Sequence, residues 1–508
     1  MKIIASVISL ILILPLMALP SRGAFSYNET FSHIVNTVLS HYVSNTLMLL
    51  VLTCFWASLW GVGTAYILSS FKIAKRSLLK VAMMLPFACP GYLLGYYFVD
   101  TFQFTFSTRN IFWASFVMGI SLYPYVYMSC LAGFSVRNID LEEASLTLGR
   151  SPLYTFFHIT LKGIRPYYAA GLGLVCMETL NDYGVADHFA IDTFTTGIYR
   201  AWFGFYSLPA SVNLSMILLL FTASGLFLES WGRRNKSFYN TTSKMKLLKE
   251  KEVSLTNHSL LMIFVLTPFL IGFIFPISYC IKQITVHGGY EYFNSEFLSL
   301  LFNSFSMAFI VSFICLALAL VNGFSHSLFK NKISRFLIRL SALGYAIPGS
   351  IIAIAIIVVF QNVDDLAGKS LVVGGKLLLV YSLVCRFFAV AYENIRSSQE
   401  HIPRNLMSYI NLQTGSFFKK SKDLYFPYAK AAMLTSFVIV FVDVLKELPA
   451  TMILSPLNFQ TLSVSIYTLA SDERLVESAP SALFILLSGL VPLFLLGKKL
   501  DKVGLGEN

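Results

Sequence analysis

The sequence predicts an all-α polytopic membrane protein with about twelve transmembrane helices in two parallel six-helix repeats. Three observations lead to this fold class. Of the 508 residues, 56% are apolar and only 13% are charged, whereas soluble domains carry about 25% charged residues. The mean hydropathy is +0.68, and apolar stretches recur along the whole chain. Similar segments also return in the second half of the chain at a nearly constant offset.

Apolar stretches of about 20 residues, the length that crosses a bilayer, predict the spans. They begin near residues 3, 46, 79, 110, 166, 210, 259, 300, 334, 370, 429 and 479. The first stretch also resembles a secretory signal, although we expect a retained helix. With the loops assigned alternately to the two sides, 29 of the 38 Lys and Arg residues fall on one side. The positive-inside rule then predicts that both termini are cytoplasmic, and the scattered basic charge argues against nucleic-acid binding.

The two halves of the chain are related by an internal duplication. Four equivalences share an offset of 258 or, further along, of 265: Asn45 with Asn303, Pro90-Gly91 with Pro348-Gly349, Glu178 with Asp443, and Asp182 with Glu447. Each copy holds six predicted spans, an even number, so both copies should have the same orientation. We therefore expect a first repeat over 1–235, a cytoplasmic linker over 236–257 and a second repeat over 258–508, with a central pathway as the functional site.

A short amphipathic helix is predicted in the cytoplasmic loop between the fourth and fifth spans. Asp140 is the expected N-cap, and Gly149 suits the C′ position. Helical spacing places four small or apolar residues on one face: Leu141, Ala144, Ser145 and Leu148. Such a helix can insert into a groove on a partner protein; a solvated loop helix is the alternative.

The same loop carries a sequence motif. Glu143-Ala144-Ser145, followed by Gly149, resembles the EAA loop of importer-type ABC transporter permeases. In that family the loop forms a coupling helix that docks into the ATPase subunit, and the resemblance implies this role for Glu143, Ala144 and Gly149.

The second copy of the loop is degenerate. Ser408 and Gly415 stand nearest to the motif positions there, so the resemblance implies docking that is less regular than in the first copy. The chain has no GxxxxGK[ST] sequence, which a phosphate-binding loop would need. We therefore expect a separate ATPase and no enzyme activity in this chain.

Four carboxylates lie inside predicted spans as two equivalent pairs. Glu178 with Asp182, and Asp443 with Glu447, are spaced i, i+4, so each pair shares one helix face. An intramembrane acid costs about 2.5 to 3.5 kcal/mol on insertion scales and usually faces a wet cavity. The pairs therefore predict a cation pathway, with a capping or ion-pair role, helped by Lys446, as the alternative.

These segments also carry a more specific resemblance. Residues 178–184 with 194–199, and 443–451 with 461–462, are similar to the fused, double-length ferric-iron permeases. The resemblance implies a type I ABC importer permease fold in the bacterial inner membrane, a periplasmic iron-binding protein and two copies of an ATPase, with no cofactor. Carboxylates suit a hard trivalent ion, and Tyr183 adds a phenolic oxygen, although no metal site is firmly assigned.

Two other functions remain open from the sequence. A thiamine importer is also a fused double permease with a cationic cargo. A proton-coupled secondary carrier, a different class, would explain buried acids but not a loop that docks a partner. An anion importer is less expected, because an anion pathway would favour Arg or Lys at the positions of these carboxylates.

Overall fold

The protein is almost entirely helical in the described part of the chain. The computed structural model describes residues 2–22, 28–233, 255–328, 332–367, 375–400, 426–456 and 458–492, and no β-strand occurs among them. This confirms the predicted all-α class. It follows from the composition, because only helices or closed barrels satisfy their own backbone hydrogen bonds in a bilayer.

Two compact units divide the chain. The first contains residues 1–40, 194–219 and 283–495. Its helices are Lys2–Ala18, Leu19–Arg22, Glu29–Thr37, Phe194–Tyr199, Arg200–Gly204, Gly289–Tyr292, Ser295–Leu328, Lys332–Ser341, Gly344–Ala346, Gly349–Ala367, Lys376–Glu400, Phe426–Lys446, Pro449–Leu454, Leu462–Ser471 and Leu475–Ser488.

The second unit contains residues 41–193, 220–282 and 496–508. Its helices, or the larger part of each, are Leu39–Ser70, Arg76–Ala82, Leu85–Ala88, Gly91–Phe102, Ile111–Ser135, Ile139–Thr147, Pro152–Thr155, Phe156–Thr160, Leu161–Gly163, Arg165–Asn181, Gly184–His188, Leu255–Phe269, Leu270–Ile274 and Phe275–Thr285. The helix Leu208–Arg233 is divided between the two units.

The units do not follow the predicted repeats along the chain. Residues 1–40 cluster with the second half of the sequence, and residues 220–282 cluster with the first half. The predicted linker 236–257 lies outside the described residues up to residue 254, and a helix already begins at Leu255. The repeat boundaries at 235 and 258 therefore stay a prediction about the sequence and are not the borders of the compact units.

The number of candidate spans is lower than predicted. Eight described helices are long and apolar enough to cross a membrane, and a bent pair makes a ninth. The predicted spans near 166, 334 and 429 are not among them. The first is a helix of only 17 residues, and the second is interrupted before Gly349.

Two of the predicted spans are broken at equivalent positions. In the first half, Arg76–Ala88 and Gly91–Phe102 meet at 84°, with Pro90 as the residue before the second helix. In the second half, Lys332–Ser341 is separated from Gly349–Ala367 by the short turn Gly344–Ala346. Proline removes a backbone donor and clashes with the preceding turn, so both breaks follow from the matched Pro-Gly pairs.

A second structural feature also repeats at the predicted offset. The Asn45 side chain donates to the carbonyl of Asp192 at 3.1 Å, and the Asn303 side chain donates to the carbonyl of Gln460 at 3.2 Å. Each asparagine thus ties a long helix to the segment before a later one, within a single unit. These contacts support the duplication that the sequence predicts.

Candidate functional site

The loop motif folds as a short helix with a defined start and end. Ile139–Thr147 is helical, and the Asn138 side chain accepts from the backbone N–H of Leu141 at 3.4 Å. The expectation that Asp140 is the N-cap was wrong, because the helix begins one residue before it. We call Ile139–Thr147 the loop helix.

Gly149 ends the loop helix as predicted. Its φ is +78°, a conformation that glycine adopts without a steric penalty. The N–H of Gly149 donates to the carbonyl of Leu146 at 3.0 Å, and the N–H of Arg150 donates to the carbonyl of Ser145 at 3.2 Å. This is the Schellman arrangement, in which a glycine at C′ satisfies the last carbonyls of a helix.

The predicted apolar face of the loop helix is open except at Ser145, which is only 5% exposed and shares a hydrogen bond with the Thr155 hydroxyl at 2.9 Å. Leu141 is 57% exposed and Leu148 is 82% exposed, and Glu143 and Ala144 are also exposed. The apolar surface continues into the following segment at Leu153, Tyr154 and Phe157. This apolar surface is therefore available to another molecule. An exposed apolar patch of this kind usually marks an interaction site.

The opposite side of the loop helix is anchored to its own unit by charge. Glu142 is buried, and its carboxylate lies 3.4 Å from the Arg137 guanidinium. Arg137 also donates to the hydroxyls of Ser69 and Ser70, at 3.3 and 2.9 Å, at the end of Leu39–Ser70. Helical spacing alone would place Glu142 away from Leu141 and Leu148, on a polar and solvated face. The buried ion pair with Arg137 explains why it faces inward.

The second loop cannot be compared with the first. Ser408 and Gly415, the positions assigned to it, lie outside the described residues. Their role stays a prediction.

In the first half, the intramembrane carboxylate Asp182 caps a short helix. It follows Arg165–Asn181, and its Oδ1 accepts from the N–H groups of Val185 and Ala186 at 2.9 and 3.2 Å. Those residues open the helix Gly184–His188, which we call the first capped helix. Free N–H groups at a helix start favour a carboxylate acceptor.

In the second half, Glu447 makes the equivalent contacts. Its carboxylate accepts from the N–H of Ala450 at 2.8 Å, and from the N–H and hydroxyl of Thr451 at 3.0 and 2.6 Å. These residues belong to Pro449–Leu454, the second capped helix. Both carboxylates therefore bind the N–H groups three and four residues onward.

Glu447 also has an ionic contact that the sequence did not indicate. Arg386 Nη1 lies 3.4 Å from Glu447 Oε1, with only 5% and 1% of the two side chains exposed. The residues are 61 positions apart, so no local spacing could reveal the pair. The only indication in the sequence was the arginine itself. A charged residue inside a predicted span normally has a partner of opposite charge.

The other three predicted pathway residues have different surroundings. Glu178 and Asp443 are half-buried, one helical turn before the capping carboxylates. Tyr183 is 6% exposed and is the residue before the first capped helix. Within each unit the predicted residues thus lie close together at one helix end.

No resident metal site is indicated by the geometry of the described residues. Among them, no group of three or more His, Cys, Asp or Glu side chains could hold a metal ion.

Comparison with known proteins identifies the class. Residues 2–237 match the family described as "Binding-protein-dependent transport system inner membrane component". Residues 2–237 therefore have the sequence pattern of the inner-membrane permeases of binding-protein-dependent transport systems. The permease is the membrane-spanning subunit of an ABC importer, and this class implies a separate ATPase and a periplasmic binding protein.

Individual relatives differ in how much of the permease they match. The Fe(3+)-transport system permease protein FbpB 2 of Haemophilus influenzae is 24% identical over 465 residues, which is 91% of this chain and 90% of that protein. The molybdate/tungstate permease WtpB of Pyrococcus abyssi is 25% identical over 41% of this chain and 83% of its own length. The sulfate permease CysT of Salmonella typhimurium is 26% identical over 45% of this chain and 90% of its own length.

Proposed function

We propose that the permease moves ferric iron from a periplasmic binding protein into the cytoplasm, driven by two copies of a separate ATPase. The extent of similarity carries this proposal. The relative named for Fe(3+) transport aligns over 91% of the chain, whereas the molybdate and sulfate relatives align over 41% and 45%. A double-length relative accounts for both halves of the permease at once.

The side chains at the helix ends are compatible with a cationic cargo. Glu178 and Asp443 are half-buried acids at equivalent places in the two halves, and hard trivalent ions prefer carboxylate oxygens. We assign the contact with iron to these two residues and the organisation of the capped helices to Asp182 and Glu447. A direct role of Asp182, Tyr183 and Glu447 in the pathway stays a prediction.

An oxyanion cargo is the second candidate, because sulfate and molybdate permeases are among the relatives. A buried arginine is the side chain that would recognise such an anion. In this permease the buried Arg386 is paired with Glu447, so its charge is already compensated. This contact favours the cationic cargo over sulfate or molybdate.

Coupling to the ATPase is the second part of the proposal. The loop helix exposes Leu141 and Leu148 on one face and is held to its own unit by Glu142 on the other. This arrangement suits a helix that fits a groove on a partner. We propose that the ATPase covers the exposed face, with Glu143, Ala144 and Gly149 at the contact, and that this face and both termini lie in the cytoplasm.

Uptake by cells tests the cargo. The permease is produced with its own ATPase and binding protein in cells that lack ferric, sulfate, molybdate and thiamine importers. Radioactive ferric iron should accumulate, and Glu178→Gln with Asp443→Asn should lower its initial rate on the order of tenfold. Accumulation of sulfate, molybdate or thiamine in place of iron would refute the proposed cargo.

Matched leucine variants test the coupling surface. Leu148→Ser alters the exposed face of the loop helix, and Leu78→Ser alters a leucine of similar exposure, 65%, in the helix Arg76–Ala82. Leu148→Ser should reduce both co-purification of the ATPase and ATP-driven uptake, and Leu78→Ser should change neither. Equal effects of the two variants would exclude the loop helix as the docking site.

A further inference from the structure

One short helix of the first unit has an unusual charge pattern. Lys332–Ser341 reads K-I-S-R-F-L-I-R-L-S, with three basic residues and no acidic one. We call it the basic helix. Ser334, Ile338 and Ser341 are buried, and the helix packs against Lys2–Ala18 and Ser295–Leu328. One of its faces is therefore covered by its own unit.

The other face of the basic helix is apolar and open. Ile333 is 70% exposed and Phe336 is 61% exposed, and Arg339 is exposed beside them. The two helices that cover the packed face contain the candidate spans Ile3–Arg22 and Ser295–Ser325. The open apolar face thus belongs to a helix that packs against two segments long and apolar enough to cross a membrane, and a helix with a basic and an apolar surface is suited to the membrane interface.

The two arginines of the basic helix have no counter-charge in the described part of the chain. Arg335 and Arg339 are spaced i, i+4 and so lie on one face, and neither takes part in an ion pair or a hydrogen bond among the described residues. The Nε of Arg335 is buried without an acceptor. By contrast, Arg137, Arg386 and Arg474 are each paired with a carboxylate.

The equivalent helix of the first half uses its arginine differently. In Arg76–Ala82 the Arg76 side chain donates to the backbone carbonyl of Leu68 at 2.5 Å. That arginine therefore has an acceptor within its own unit, whereas no acceptor for Arg335 or Arg339 occurs among the described residues.

We propose that the basic helix binds the headgroup of an anionic phospholipid. Arg335 and Arg339 donate to the phosphate oxygens, because two guanidinium groups one helical turn apart suit a phosphodiester. Ile333 and Phe336 contact the acyl chains below it. Charge complementarity with an anionic membrane surface and continuity with the candidate spans favour lipid over a protein partner. The proposal is independent of the transported cargo.

Lipid binding to the purified, full-length permease tests the proposal. Native mass spectrometry measures the affinity for the first phosphatidylglycerol, with phosphatidylcholine as the neutral reference. The wild type should prefer phosphatidylglycerol on the order of tenfold, and R335Q/R339Q should abolish the preference. R335K/R339K keeps both charges and should retain most of it, which separates loss of charge from loss of folding.

A control removes the same charge elsewhere. K75Q/R165Q takes two exposed basic residues from the side of the membrane predicted to be cytoplasmic and should leave the preference unchanged. In addition, the fluorescence of Phe336→Trp should be quenched by brominated phosphatidylglycerol.

Three results would overturn the assignment. One is an unchanged preference in R335Q/R339Q, and another is an equal loss in K75Q/R165Q, which would reduce the effect to net charge. The third is loss of ATPase co-purification in R335Q/R339Q with lipid binding intact, because the face would then belong to a protein partner.

Discussion

The two capped helices can be compared directly, because a carboxylate caps each helix but a buried arginine lies beside only one of the two carboxylates. Asp182 and Glu447 both accept from the N–H groups three and four residues onward. Next to Glu447 lies Arg386, which neighbours Gly349, whereas Ser121 neighbours the matched Gly91 in the first half. Its hydroxyl donates to the Cys89 carbonyl at 2.9 Å.

The two matched glycines beside these carboxylates differ in the space around them. A Cβ at Gly349 would lie 2.4 Å from Arg386 Nη1 and 2.9 Å from Glu447 Oε1, whereas a Cβ at Gly91 would be 3.6 Å from its nearest neighbour, on Val185. The second half thus adds a tightly packed ion pair to a hydrogen-bonded cap that both halves share. An intramembrane acid in this permease can therefore have a structural role, and its presence alone does not define the cargo pathway.

The largest effect should come from removing the charge of Glu447. Glu447→Gln leaves Arg386 buried without a counter-charge, which costs about 3 to 5 kcal/mol of unfolding free energy. Asp182→Asn keeps an acceptor oxygen and has no arginine to strand, so it should cost about 1 kcal/mol or less. Unfolding in mixed micelles with rising dodecyl sulfate measures both.

A double variant identifies the cause of that loss. Glu447→Gln with Arg386→Met removes both charges and should recover a large part of the stability, because an apolar pair can replace a buried ion pair. If the double variant is no more stable than Glu447→Gln alone, the ion pair is not the origin of the difference.

The next largest change in the free energy of unfolding is expected at the two glycines. Gly349→Ala forces Arg386 and Glu447 apart and should cost about 1 to 3 kcal/mol, as overpacking usually does. Gly91→Ala meets only ordinary contacts and should be neutral or stabilising, by up to about 1 kcal/mol. The same unfolding measurement checks this, and equal losses at both glycines would show that the crowding around Arg386 has been misjudged.

Removing the first cap entirely should have a smaller effect than either change in the second half. Asp182→Ala deprives Val185 and Ala186 of their acceptor and should cost about 1 kcal/mol, the usual value of a helix cap. Faster amide exchange of residues 184–188, with residues 449–454 unchanged, would locate the loss. Equal acceleration in both segments would argue against a local cap.

The smallest difference is expected where the two halves use the same residue. Asn45→Ala and Asn303→Ala each remove one hydrogen bond to a backbone carbonyl and should each cost about 1 kcal/mol. Thermal unfolding of the two variants should agree. A large gap between them would mean that the duplicated contact does not have the same function in both halves.

The sequence predicted the features that depend on local or periodic signals. Apolar length predicted the helical membrane class, and Gly149 was identified correctly as the end of the loop helix. The Pro-Gly pairs that indicated the duplication also lie at both helix breaks. The capping role of the acids was the alternative interpretation, and the hydrogen bonds of Asp182 and Glu447 support it.

Features that depend on distant residues were not predictable. The pair Arg386–Glu447 joins two helices far apart in the chain, and Glu142 turns inward because of Arg137, which precedes the loop helix. The N-cap was misplaced because Asn138 and Asp140 both have suitable side chains, and only the backbone decides between them. The composition of the compact units depends on tertiary packing, which the repeat pattern does not contain.

Transport by the purified system is the most direct test of the proposed function. The permease and its ATPase are reconstituted in vesicles with ATP on the ATPase side, and the binding protein loaded with radioactive ferric iron is added on the other side. Iron should accumulate only with hydrolysable ATP, and Leu148→Ser should reduce the accumulation. Transport of sulfate or molybdate with no iron, or iron entry that a proton gradient drives without ATP, would contradict the account.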